Sequence, residues 1–397
     1  MPEAGPTGTN DPIPGVRLVV LGATGSIGSQ TLDVARRLGC DVVGLAAHSA
    51  SEEFASLADA WPNATIVATD PNADEGPFRR RLGDRAAFGD AAMVALAATP
   101  GVVVVNGVVG AAGLTASVAA LEAGNRLALA NKESLVSGGP VVLDALARGG
   151  GELIPVDSEH SALRECLAGE DPSAIRRLVL TASGGPFRGK RRIDLESVGV
   201  ADALAHPTWD MGPRISVDSA TLMNKAFEVI EAHYLFGVPY DAIDVVVHPQ
   251  SIVHSLVEFT DGSVKAQLGD PDMRHPIQYA ITGPTRAPAP PTGFDLTRLD
   301  LTFEMPDTAT FPCLELGYEA GRRGGVAPAV LNAADEVAVG AFLEGRIPFL
   351  SIADVVGATL AVIPDAVPAD VADVIAADAH ARAVASEEVA QRGYRIG

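Results

Sequence analysis

The stretch Val16-Arg17-Leu18-Val19-Val20-Leu21-Gly22-Ala23-Thr24-Gly25-Ser26-Ile27-Gly28, continued by SQTLDVARRL, decides how the chain folds. An apolar run of this length reads as a buried strand, the glycines as a tight turn, and the amphipathic run behind them as a helix. Glycines at a first strand-to-helix turn let the backbone approach a pyrophosphate, whose charge then sits on the helix N-terminus. A plain structural turn is the ordinary alternative, and the strand–turn–helix context favours a dinucleotide site. A site selective for NAD(H) places Asp or Glu at the end of the second strand, roughly 20 residues on. Here that position reads Ala47-His48-Ser49-Ala50. With no carboxylate to repel a 2′-phosphate, NADP(H) is the expected cofactor.

Working outward, CDVVGLAAHS, NATIVATD, GVVVVNGVV, RLALAN and GELIPVD repeat the motif of a short apolar run ending in turn residues. Helical segments separate them, so a parallel sheet covered on both faces is expected over residues 16–157. A flexible tail is expected over residues 1–15. After residue 158 the texture changes. RRLVLTASG, IDVVVHP, IVHSLVEFTDG and SVKAQLG read as strands of an α+β domain over 158–282, the last two joined by an Asp-Gly turn. Residues 283–310 are Pro-rich and read as a linker. Residues 311–397 carry helical periodicity and read as a small helical domain.

Composition narrows the function classes. Of 397 residues, 29 are Lys or Arg and 50 are Asp or Glu, a net charge of −21. Non-specific nucleic-acid binding needs clustered cations and is not expected. Three cysteines at wide spacing form neither a disulfide framework nor a zinc pattern. The N-terminus has no secretory character, and no apolar run approaches the ~20 residues of a membrane span. A cytoplasmic protein with no membrane partner is expected.

Four segments carry chemistry. Asp157-Ser158-Glu159-His160 follows the strand GELIPV. If the segment stays extended, Asp157 and Glu159 share a face, and two oxygen donors suit Mg²⁺ or Mn²⁺. A helix N-cap at Asp157 or Ser158 explains the same residues equally well. The second segment, 206–236, opens on His206 to Pro213, a mixture of Pro, Gly, Trp and Met expected of a loop that closes over a ligand. It continues through Ser219-Ala220-Thr221 as a helix on which Asn224, Lys225 and Glu228 cluster. Amide, ammonium and hydroxyl make a phosphate cradle. Glu228 is the candidate third metal ligand, with Glu231 as its competitor. Thr181-Ala182-Ser183-Gly184-Gly185 is a polar turn suited to a phosphate oxygen. Lys132, in Ala130-Asn131-Lys132-Glu133, stands at a strand's carboxyl end, where open α/β sheets bind ligands. The alternative there is a surface pair between Lys132 and Glu133. Only four lysines occur in the chain, and Lys132 and Lys225 are two of them.

These motifs together, GATGSIGSQTLDV, ALANKESLV, PVDSEHSA, LTASGGPF, the 206–236 block and HPQSIVHSLVEFTDGSVKAQLGDPDMRHPIQYA, resemble the 1-deoxy-D-xylulose 5-phosphate reductoisomerase family. LNAADEVAVGAFL is similar to that family's C-terminal region. The resemblance implies a Rossmann-like NADPH domain, a central α+β catalytic and dimerising domain, and a C-terminal four-helix domain. It assigns Thr24, Gly25, Ser26, Ile27, His48, Ser49, Ala50, Asn131 and Glu133 to NADPH, with Met211 and Gly212 near the nicotinamide. Asp157, Glu159 and Glu228 become the metal ligands, in place of Glu231. Lys132, Ser158, Asn224 and Lys225 contact the sugar. Ser183, Ser219, Asn224 and Lys225 hold the phosphate with His206, and Trp209 covers the substrate. The implied reaction is rearrangement of the sugar phosphate, promoted by Mg²⁺ or Mn²⁺ as Lewis acid, then hydride transfer from NADPH to give 2-C-methyl-D-erythritol 4-phosphate. A homodimer is implied as well.

Two rivals are weaker. A short-chain dehydrogenase requires Tyr-x-x-x-Lys, and none of the five tyrosines has Lys four residues on. A non-catalytic dinucleotide sensor needs neither paired carboxylates nor a phosphate cradle.

Overall fold

A computed structural model describes residues 15–207, 211–290 and 294–393. Its contacts divide the chain into two compact units. The first takes the described residues up to Asn131, Asp144–Ser161 and those from Asp272 to 290. The second takes Lys132–Leu143, Ala162–Pro271 and the described residues from Phe294.

The first unit is built on seven strands, six of them expected from the apolar runs. They are β1 (Arg17–Leu21), β2 (Asp41–Ala47), β3 (Thr65–Ala68), β4 (Ala86–Phe88), β5 (Val103–Asn106), β6 (Arg126–Leu129) and β7 (Glu152–Pro155). They form one parallel sheet in the order β4-β3-β2-β1-β5-β6-β7. Leu18 to Leu21 are all buried, as expected of a central strand covered on both faces. Strand β4 was not anticipated: Ala86-Ala87-Phe88 is too short for its apolar residues to show a period. The chain winds outward from β1 in both directions, so the carboxyl ends of β1 and β5 lie at a topological switch point. Asn106 closes that end by donating from Nδ2 to Gly113 O (2.8 Å) and Ser117 Oγ (2.9 Å). The helix Arg274–Thr282 belongs to this unit as well. Ile277, Ala280 and Ile281 bury their side chains in its core, beyond the 16–157 span expected from texture.

The second unit contains β8 (Ile175–Ala182), β9 (Ile243–Val247), β10 (Val253–Phe259) and β11 (Val264–Leu268), in the order β11-β10-β8-β9. β10 and β11 form the anticipated antiparallel hairpin, β10 pairs antiparallel with β8, and β8 pairs parallel with β9. Four helices, Cys313–Arg323, Ala327–Leu343, Ser351–Val362 and Val371–Arg392, supply the helical region. They share one core with the sheet, in which Leu178, Leu180, Phe227, Ile230, Val330 and Phe342 are all buried. The segment expected as a linker also carries structure: Glu304 bridges Val247, and Leu296–Arg298 is a short 3₁₀ turn. No helix among the described residues is long and apolar enough to cross a membrane.

Candidate active site

In the first unit the turn Gly22–Gly28 follows β1 directly, and the helix Ser26–Leu38 starts inside it. Ala23 N donates to Ala46 O (2.8 Å) and Gly25 N to Gly22 O (3.0 Å), which folds the turn over the end of β2. Gly28 is required by packing. A Cβ there would stand 2.2 Å from Gly22 O, so a side chain would push helix and turn apart. Thr24, Gly25 and Ser26 are exposed and Ile27 is half-buried, a surface open to a dinucleotide. His48 and Ser49 follow β2 and are exposed, and Ala50 is half-buried. Asn131 is more deeply set. Its backbone N donates to Asn106 O (2.9 Å), its side-chain amide donates to Val108 O, and the residue is buried.

Asp157 and Glu159 also lie in this unit, but not as an extended pair. β7 stops at Pro155 and a helix begins at Ser158, so Glu159 stands in the helix's first turn. Asp157 caps that helix: its Oδ1 accepts from Glu159 N at 3.1 Å. The same oxygen lies 3.3 Å from Nδ1 of fully buried His160. Ser158 donates its hydroxyl to Glu159 Oε2 at 2.6 Å. The cap and the metal-ligand readings are therefore compatible, because a capping carboxylate keeps a second oxygen.

The second unit gathers the remaining groups. From Pro213 the chain folds as two helices, Pro213–Thr221 and Met223–Phe236, not as one helix from Ser219. Leu222 separates them with φ +64°, a left-handed conformation that a buried leucine adopts only when its surroundings enforce it. Asn224 and Lys225 thus occupy the first turn of the second helix, where the dipole favours an anion. Glu228, one turn on, is 1% exposed. It accepts from Lys132 Nζ (3.1 Å), Asn224 Nδ2 (2.7 Å) and Lys225 Nζ. Glu231 lies further from Lys132, at 3.8 Å. Lys132 therefore turns toward this helix, and its neighbour Glu133 accepts from Arg214 (2.8 Å).

At the carboxyl end of β8, Ser183 Oγ lies 2.9 Å from His206 Nε2 and accepts from Gly185 N at 3.2 Å. Gly185 has φ +66°, and a Cβ there would meet Ser219 O at 2.6 Å, so only glycine brings this turn against the helix that carries Ser219. Half-burial lowers the His206 pKa, which favours the neutral ring. Thr181 is not part of the cradle. It is buried, and its hydroxyl lies within 2.8 Å of the backbone oxygens of Val253 and His254, a tie between strands. Met211 is half-buried, and exposed Gly212 caps the helix Pro213–Thr221. Trp209 lies outside the described residues. Arg214, Asp218, Asp335 and Glu336 form a buried charge network that sequence reasoning missed, because its members are separated by up to ~120 positions and follow no motif.

Comparison with known proteins bears on the whole chain. Residues 18–139 match the family model described as 1-deoxy-D-xylulose 5-phosphate reductoisomerase, residues 153–236 match that enzyme's C-terminal domain model, and residues 268–384 match the DXP reductoisomerase C-terminal domain. The 1-deoxy-D-xylulose 5-phosphate reductoisomerase of Xanthomonas campestris pv. campestris is 50% identical over 377 residues, covering 92% of this chain and 95% of its own. That of Burkholderia multivorans is 47% identical over 389 residues, 96% of this chain and 98% of its own. The Zymomonas mobilis enzyme in complex with NADPH superposes with a TM-score of 0.89 at 41% identity, over 94% of this chain and 99% of that one. A DOX-P reductoisomerase in complex with NADPH, fosmidomycin and magnesium superposes with a TM-score of 0.88 at 36% identity, over 95% of this chain and 98% of that one.

Proposed function

The chain belongs to the 1-deoxy-D-xylulose 5-phosphate reductoisomerase family, and on that premise we propose which of its residues perform each part of the reaction. It is an NADPH- and divalent-metal-dependent enzyme that converts 1-deoxy-D-xylulose 5-phosphate to 2-C-methyl-D-erythritol 4-phosphate in isoprenoid precursor biosynthesis. When bound, the metal supplies Lewis-acid polarisation of substrate oxygens and NADPH supplies the hydride.

The arrangement around Glu228 carries the reading: a buried carboxylate meets two ammonium groups and an amide at a helix N-terminus. Asp157, Glu159 and Glu228 would hold the metal. The donor set fits, since all three are hard carboxylate oxygens, two half-buried and one buried. Ser183, Ser219, Asn224 and Lys225 hold the phosphate with His206. Lys132 and Ser158 orient the sugar oxygens, and Trp209 covers the substrate. Lys132 and Lys225, which both reach Glu228, would present their charge to the anionic substrate. Thr24, Gly25, Ser26 and Ile27 hold the pyrophosphate side of NADPH, His48, Ser49 and Ala50 its 2′-phosphate, and Asn131, Glu133, Met211 and Gly212 its remainder. Phosphate binding remote from the reacting carbons supplies positioning energy. A homodimer acting in the cytoplasm completes the reading, and light scattering of the purified chain tests the dimer.

Competition with fosmidomycin tests the site. Fosmidomycin competes with the sugar phosphate in the wild type, and Lys225→Gln weakens both by at least tenfold, about 1.4 kcal/mol. Equal affinity in that variant removes Lys225 from the phosphate site.

A further inference from the structure

Arg214 lies in the first turn of the helix Pro213–Thr221, and its guanidinium is surrounded by acids from three elements. It donates to Glu133 Oε1 at 2.8 Å, to Glu336 Oε1, and to Asn332 Oδ1 at 2.8 Å. Asp218, one turn along its own helix, and Asp335 each lie 3.6 Å away. Glu133 stands beside Lys132 at the start of the helix Lys132–Gly149. Asn332, Asp335 and Glu336 lie on the helix Ala327–Leu343, which contributes none of the site residues assigned above. Arg382, on the last helix, holds the other oxygen of Glu336 and lies 2.6 Å from Asp378. Single ion pairs are worth little at a surface, but this side chain is mostly buried and joins three helices at once.

We propose that Arg214 is a positioning residue for the reaction. It anchors the turn that carries Met211 and Gly212, and the helix that carries Ser219, to the C-terminal helix Ala327–Leu343. Through Glu133 it also holds Lys132 in reach of Glu228. Arginine suits this task because its planar fork donates to several acceptors in fixed directions, which a lysine ammonium does not reproduce. The four carboxylates outweigh the burial that opposes its charge, so the guanidinium stays ionised and the anchor holds across the working pH range. The assignment rests on the substrate reading of Lys132 and Ser219 given above.

Steady-state kinetics on the full-length enzyme test it, with NADPH and Mg²⁺ saturating, beside thermal melts of the same samples. Arg214→Lys keeps the charge and is expected to keep the fold. Its kcat/KM for the sugar phosphate falls by roughly ten- to a hundredfold, the cost of misplacing reacting groups by about 1 Å. Glu336→Gln lies outside the substrate and cofactor groups and changes the same parameter in the same direction, by less. The double variant is no worse than Arg214→Lys alone, because both act through one anchor. Wild-type kcat/KM in both folded variants overturns the proposal, as does a loss that only tracks the fraction of unfolded protein. A wild-type chain inactive on the sugar phosphate is a different failure, that of the functional reading, and appears before any variant is compared.

Discussion

Replacing Glu228 by Gln removes one negative charge from a place where two ammonium groups converge. At 3.1 Å from Lys132, the gross attraction is about 5 kcal/mol with an effective dielectric constant of roughly 20. Removing one partner of a buried pair costs about 3–5 kcal/mol. Lys132 retains Glu231 at 3.8 Å, and the amide still accepts a hydrogen bond, so about 3 kcal/mol is the better figure. At roughly 2 °C per kcal/mol for a chain of this size, the melting temperature falls by about 6 °C. Activity falls much further. With Glu228 in its proposed role as a metal ligand, its loss removes Lewis-acid stabilisation of about 4 kcal/mol, roughly a thousandfold in turnover. The two effects separate in one experiment: NADPH oxidation at 25 °C, well below the melt, alongside melts with and without Mg²⁺. The wild type gains thermal stability with Mg²⁺, and the variant gains much less. Glu231→Gln, measured as a control, loses less activity. Turnover in Glu228→Gln within tenfold of the wild type, or full stabilisation by Mg²⁺, refutes the assignment of Glu228 as a ligand.

Other outcomes follow from the same geometry. Chelating divalent metal abolishes turnover but leaves the circular dichroism spectrum unchanged, because Lys132, Asn224 and Lys225 already satisfy Glu228; unfolding on chelation contradicts this. His48→Asp places a carboxylate at the proposed 2′-phosphate position, so the ratio of kcat/KM for NADPH over NADH drops by at least tenfold, and an unchanged ratio moves the recognition site elsewhere. Burial raises the pKa values of Asp218 and Asp335, the latter to about 6, with repulsion from Asp335 adding to the shift at Asp218 and repulsion from Glu336 to that at Asp335. A carboxyl whose folded pKa is raised favours folding below its unfolded value, near 3.8, and loses that contribution as pH rises toward about 6. Asp335→Asn should therefore flatten the melting temperature's fall between about pH 4 and 6, and an identical pH profile contradicts the buried-pair argument.

Much of the first unit was legible because its information is local. Buried strands such as Leu18–Leu21 are written as continuous apolar runs, and Gly28 sits where a Cβ has no room. Where tertiary packing overrode local pattern, the reading failed. Nothing in Thr221-Leu222-Met223 announces a helix break, because the left-handed Leu222 is imposed by its buried setting and not by a glycine. Glu159 read equally well on an extended strand end or in a helix's first turn, and the capping oxygen of Asp157 starts a helix there. Asp-Ser-Glu is as good a helix start as a strand end, so sequence could not choose. The Arg214 network was invisible because its acids come from three separate helices. Two of the four lysines, Lys132 and Lys225, both bind Glu228, while exposed Lys265 pairs with half-buried Glu170 in an ordinary surface contact.

The most direct test of the central claim is the loss of NADPH absorbance when purified protein receives 1-deoxy-D-xylulose 5-phosphate and Mg²⁺ or Mn²⁺, each alone and both together. Oxidation only when sugar phosphate and metal are both present, with 2-C-methyl-D-erythritol 4-phosphate as product, is the expected result. Oxidation without the sugar phosphate, or none with both, contradicts it.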